Sequence, residues 1–131
     1  MSTSFDFITE CGAFYVLTVD GDKPVGRPFG AIMEYEGYLY ISTGNTKAVY
    51  DQIIANANIQ LLAHKPNTRD WLRLSGKAVE CTDLQIKQQM LNACPVLQKR
   101  FTSPDCPFFA LFKITDKEAF LNTNAGVTRV D

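Results

Sequence analysis

The residues best suited to chemistry are Ser42-Thr43-Gly44-Asn45-Thr46-Lys47. They follow an apolar, strand-like run, Tyr38–Thr43, and precede Lys47–Asn56, where Val49 and Ile53 stand four apart as on one helix face. The segment therefore lies where a strand ends and a helix begins. The first amides of a helix have no internal partner, and together with the helix dipole they attract anions. Gly44 lets a backbone approach a ligand closely, Thr43, Asn45 and Thr46 offer hydroxyl and amide groups, and Lys47 brings a full positive charge. A phosphate suits that donor set. An ordinary cap made by Asn45 or Thr46, with Lys47 in solvent, suits it too, although a lysine in the first turn opposes the dipole. The segment alone leaves both readings open.

Arg27, on an expected strand, is the second candidate, because a guanidinium fork can bind two phosphate oxygens at once. If Arg27 and Lys47 meet on one anion, alanine at either position is expected to weaken binding and leave the fold intact. Gly21 to Gly26 has the glycine spacing of a phosphate loop, but it lacks the Lys-Ser/Thr ending and precedes a strand rather than a helix. His64 is the only histidine, with no serine or cysteine grouping to make it catalytic. Cys11, Cys81, Cys94 and Cys106 show no C-x-x-C spacing, so neither a zinc site nor a redox pair is expected and they read as reduced, buried or half-buried thiols. Trp71 and Arg73 could line a pocket or pack a core.

These groups need a scaffold, and 131 residues with 46% apolar content suffice for one domain with its own core, residues 1–131. The net charge of -1 and the scattered cations give no nucleic-acid footprint. No apolar run reaches the length of a membrane span, and the first residues lack the pattern of a signal peptide, so a cytoplasmic protein is expected.

The chain divides into short elements. Ser4–Cys11 suits a helix. Ala13–Val19, Val25–Met33 and Tyr38–Thr43 read as three strands joined by turns at Asp20-Gly21-Asp22 and Glu36-Gly37, which predicts an antiparallel meander. Pro28 cannot donate to a ladder and marks an edge or a bulge. Ile59–Ala63 and Trp71–Glu80 follow as strands. Thr82 with Gln85 has the form of a capping box ahead of a helix ending near Cys94, and Val96–Phe101 suits a helical turn. Phe108–Ile114 and Ala119–Asn122 read as two last strands hinged at Thr115-Asp116. The fold class is mainly β: an antiparallel barrel of six or seven strands with flanking helices, closed to hide its edges.

In this order, Val25-Gly26-Arg27-Pro28-Phe29-Gly30, a hairpin, Tyr40-Ile41-Ser42-Thr43, a helix led by Lys47, and Trp71–Ala78 resemble the pyridoxamine 5'-phosphate oxidase-like flavin-binding split-barrel family, in particular its short general-stress-protein-like members. The resemblance spans residues 5–122. It implies a split barrel, a homodimer, and FMN in a cleft at the subunit interface. Carried over by position, Arg27 and Lys47 meet the flavin phosphate, Pro28 and Phe29 lie beside the cofactor, Ser42 and Thr43 contact flavin or phosphate, and Trp71 lies near the ring edge. The oxidase itself has a lysine where Ile32 stands, an Arg-Lys pair where Thr46 precedes Lys47, and an Arg-x-His segment where this chain has Thr128-Arg129-Val130-Asp131. Vitamin B6 is therefore not the expected substrate.

Relatives of this barrel also hold a deazaflavin coenzyme or haem, which remain the alternative cofactors. With FMN, two functions follow: a flavin-dependent oxidoreductase, in which the flavin does the chemistry and the protein orients it, or a non-catalytic flavin-binding or stress-related module. A barrel without cofactor is the third.

Overall fold

A computed structural model describes residues 1–131. Helix α1 (Thr3–Cys11) precedes a hairpin of β1 (Phe14–Asp20) and β2 (Lys23–Phe29), turned at Gly21 with φ of 64°. A second hairpin, β3 (Met33–Tyr35) and β4 (Tyr38–Gly44), turns over Glu36 and Gly37, both at positive φ. Helix α2 (Ala48–Ala55), β5 (Asn58–His64) and β6 (Trp71–Cys81) follow. Helix α3 (Leu84–Ala93), a 3-10 turn (Pro95–Lys99), β7 (Phe109–Thr123) and β8 (Gly126–Val130) complete the chain. No helix is long and apolar enough to cross a membrane.

The strands form one antiparallel sheet in the order β2-β1-β5-β6-β7-β4-β3, with β8 also on β7. The expected meander is not present. Val25–Met33 is not one strand but two, broken at Gly30-Ala31-Ile32, and its halves pair at opposite ends of the sheet. The sheet is a split barrel and is not closed: β2 and β3 remain its edges. Pro24 and Pro28 both lie on β2, the edge position that prolines tolerate.

The last part of the chain also departs from expectation. Phe109–Thr123 is a single strand that bends at Asp116, whose φ is 53°, and does not divide into two. Its first half pairs with β4 on one side and its second half with β8, an eighth strand that the sequence reading did not contain. The ladder between β6 and β7 shifts register between Ser75 and Lys77, opposite the bend. Helix α3 is capped by Asp83, not Thr82: its carboxylate accepts from the amides of Gln85 and Ile86. Asp offers that acceptor at least as well as Thr, so adjacent cap candidates compete.

Two cores flank the sheet. The larger lies inside the curl, where Phe14, Val16, Leu61, Leu72, Leu74 and Phe112 meet α1 and α2. The smaller lies outside, where Tyr40, Phe109 and Leu111 pack against Met90, Leu91, Leu97 and Phe101. This explains why β4 is buried from Leu39 to Gly44 without alternation, since both of its faces are covered.

Gly76, at the register shift, has no room for a side chain. A Cβ there would lie 2.8 Å from Ile114 Cγ2 and 2.9 Å from the Thr115 carbonyl oxygen. Gly76→Ala should lower stability by about 1–3 kcal/mol, as overpacking does. A urea unfolding midpoint equal to that of the parent chain would refute this packing account.

Candidate functional site

The split between the two edges is where the expected site residues gather. Arg27, Pro28 and Phe29 from β2, Ser42 and Thr43 from β4, and Lys47 ahead of α2 line one cleft of about 190 Å³. Gly30, Ala31, Leu97, Arg100 and Phe101 also line it. Strand alternation positions them. Val25, Arg27 and Phe29 share the inward side of β2, opposite the buried Phe14 and Val16 of β1.

Arg27 is half-buried and held by neutral acceptors. One terminal nitrogen donates to Thr18 Oγ1 at 2.7 Å and to the Val16 and Val25 carbonyls at 3.2 and 3.3 Å. The other donates to Gln52 Oε1 of α2 at 2.7 Å, and Thr18 Oγ1 donates to the same oxygen. No carboxylate balances the charge, and burial pushes the guanidinium pKa down. Arg27 thus ties the β1–β2 hairpin to α2 as well as facing the cleft.

The start of α2 is open. Lys47 occupies the cap position with extended backbone and no side-chain cap bond. By contrast, α1 has its first amides taken by Ser2 Oγ, Asp131 and Glu34, and α3 has Asp83. The expected alternative caps do not form. Asn45 Nδ2 donates to the Pro107 carbonyl at 2.8 Å, Thr46 is exposed, and neither lines the cleft. A lysine at the positive end of a helix adds no structural stability.

Ser42 completes the donor set. Ser42 lines the cleft, and its buried Oγ is the one buried side-chain polar atom without a hydrogen-bond partner. Leaving such a group unpaired costs about 1–3 kcal/mol. An unpartnered hydroxyl, uncapped helix amides and cations without a carboxylate fit a phosphate-bearing ligand.

The remaining candidates lie elsewhere. Trp71 begins β6 on the outer side of the sheet, with the Arg73 guanidinium 4.9 Å from its ring centre, and it does not reach this cleft. His64 is exposed, and its Nε2 donates to the Thr68 carbonyl at 2.7 Å within the following turn. The four cysteines are free, and burial pushes the Cys11 and Cys94 thiols up, away from thiolate chemistry. A larger, open concavity of about 430 Å³, lined by residues such as Leu17, Gln60, Ser75 and Asp116, contains none of the expected site residues. Arg100 was missed in the sequence because it sits in a polar stretch after a 3-10 turn, with no motif around it.

Comparison with known proteins places the chain. The sequence profile of the pyridoxamine 5'-phosphate oxidase family matches residues 3–122, and the chain belongs to that family. No curated protein matches it in sequence. Among solved structures, a NimC/NimA family protein from Clostridium acetobutylicum is similar at 35% identity and a TM-score of 0.89, over 98% of this chain and 91% of the other. General stress protein 26 from Bacillus anthracis has the same fold at 21% identity and a TM-score of 0.76, over 95% and 94% of the two chains. So does a pyridoxamine 5'-phosphate oxidase-related FMN-binding protein from Nostoc punctiforme, at 17% identity and a TM-score of 0.63, over 93% and 80%.

The contacts of the two cations separate their roles. Lys47→Ala should leave the unfolding midpoint unchanged or slightly raised. Arg27→Ala should lower stability by about 1.5–3 kcal/mol, the worth of hydrogen bonds to a charged group, so the expectation that both variants spare the fold is revised for Arg27. Equal thermal midpoints for the two variants would contradict the tie between Arg27, Thr18 and Gln52.

Proposed function

We propose that this chain binds FMN in the cleft at the split and works as a flavin-dependent oxidoreductase, assembled as a homodimer with the flavin at the subunit interface. The observation that carries the reading is the partnerless, buried Ser42 hydroxyl in the same cleft as Lys47 and Arg27, beside the uncapped start of α2. The phosphate would take the α2 amides and Lys47, and Ser42 and Thr43 would donate to phosphate or flavin. Pro28 and Phe29 would flank the cofactor. The FMN-binding neighbour from Nostoc punctiforme, which shares this fold, supports flavin as the ligand.

The size of the cleft supports the dimer. At about 190 Å³ it is smaller than the roughly 300–1,000 Å³ of ligand pockets. It suits a phosphate and its tail, and the isoalloxazine would extend to where a second copy closes over it. The outer side of the sheet carries Tyr15, Leu17, Leu62, Trp71 and Phe120 at least partly exposed, a surface for that copy and a way for Trp71 to meet a flavin held by the other subunit.

Bound FMN supplies hydride and electron transfer, which no side chain can perform. The chain's own residues do the rest. Lys47 and the helix amides fix the phosphate end, and Arg27 holds α2 against the hairpin so that those amides keep their direction. Phe29 and Phe101 present apolar walls that exclude water.

Purified protein titrated with FMN should show saturable binding by quenching of flavin fluorescence. Lys47→Ala should weaken it by about 10- to 150-fold, the worth of one charged hydrogen bond. Flavin reduction by a nicotinamide donor should follow. If saturable binding occurs but no donor or quinone supports turnover, the protein is a flavin-binding module instead. Absence of FMN binding, or a Soret band in the purified protein, would overturn the flavin assignment.

A further inference from the structure

Resting on the flavin reading, we infer that Arg100 forms a second anion subsite in the cleft, selecting a reaction partner that carries a carboxylate. The first argument is charge. The cleft is walled by three cations, Arg27, Lys47 and Arg100, and by no carboxylate. A phosphate monoester carries about -1.5 to -2 at neutral pH. Arg27, Lys47 and the positive end of α2 balance that charge between them. Arg100 is left over, so the loaded cleft keeps a positive charge.

The second argument is the availability of donors. Arg27 has both terminal nitrogens committed to Thr18, Gln52 and carbonyls. Arg100 makes no side-chain hydrogen bond, and the chain's only ion pair is Lys65 with Glu10. Its planar fork is free for the two-pronged contact that guanidinium makes with a carboxylate.

The third argument is placement. Arg100 follows the 3-10 turn, and its backbone amide donates to the Leu97 carbonyl at 3.0 Å. Its guanidinium lies 5.8 Å from the ring centre of Phe101. Phe101 is buried and stacked on Phe109, with ring centres 4.7 Å apart and planes 14° from parallel. The backbone beneath Arg100 is thereby fixed while the charged head stays exposed. Arg100 lines the same cleft as Arg27, Pro28 and Phe29 of β2.

Benzoate and its neutral isostere benzamide test the inference on FMN-loaded protein, read by the shift of the flavin absorbance bands. Benzoate should titrate saturably and at least tenfold more tightly than benzamide, and more weakly as salt is added. Arg100→Gln should erase that preference while changing the FMN Kd by less than about twofold, and Arg100→Lys should restore part of it, a lysine keeping the charge but not the fork. Equal binding of benzoate and benzamide to the parent protein would overturn the subsite and leave the flavin reading standing. Tenfold weaker FMN binding in Arg100→Gln would make Arg100 a phosphate ligand and also overturn it. Failure of the parent protein to take up FMN would remove the flavin reading and this inference together.

Discussion

The link Gly30-Ala31-Ile32 is too short for the sheet to lie flat. It joins β2 and β3, the first and last strands of the sheet order. Seven strands side by side at about 4.8 Å would place those edges about 29 Å apart, whereas the four steps from Phe29 to Met33 reach at most about 14 Å. The sheet must therefore curl until its edges nearly meet. They do not pair, because Pro24 and Pro28 remove donors from β2 and β3 offers only three residues. What is left is a slit bordered by Arg27 and Phe29 on one side and by the end of β4 on the other. The cleft is a consequence of one short link and two prolines.

That curl also dictates the two cores. Inside it, α1 and α2 plug the ends, and α2 is held by Gln52 on Arg27 and Thr18. Outside it, β4 and the first half of β7 need a second cover, which α3 and the 3-10 turn provide through Met90, Leu91, Leu97 and Phe101. The same packing that buries Leu97 and Phe101 holds the intervening Arg100 against the slit. The bend at Asp116 and the bulge facing it let one 15-residue strand serve both parts of the sheet, β4 along its first half and β8 along its second. Gly76 is required there because Ile114 and Thr115 occupy the space a Cβ would need.

Much of this was legible in the sequence, for identifiable reasons. The apolar runs that became β1, β5 and β6 read as strands, and Pro28 marked an edge or bulge, because those signals are local. The strand-to-helix segment ending in Lys47 marked the slit because it concentrates polar donors where a helix begins. Pairing partners were not legible. Val25–Met33 has strand-like residues throughout, and only the closure of the sheet shows that Gly30-Ala31-Ile32 crosses between edges. Thr115-Asp116 was expected to be a hinge between two strands, and Asp116 does take a positive φ, but the pairing of β6 across the bend keeps the strand continuous. Asn45 and Thr46 have the right chemistry to cap α2, but Asn45 is drawn to the Pro107 carbonyl of a loop 62 residues away, a contact no local pattern encodes.

The slit also bears on stability. Arg27 and Lys47 are like charges facing one narrow space with no carboxylate between them, and the partial positive charge of α2 adds to their repulsion. The chain tolerates this because Arg27 is engaged by neutral dipoles and Lys47 stands in water. An anion held there would remove the repulsion and extend the link that Arg27 already makes between β2 and α2 to the end of β4. Such a ligand binds the folded chain and not the unfolded one, so it stabilises by mass action. The unpaired charges and the partnerless Ser42 hydroxyl that cost the fold stability are therefore the same groups that would give a phosphate-bearing ligand its affinity under the proposed function.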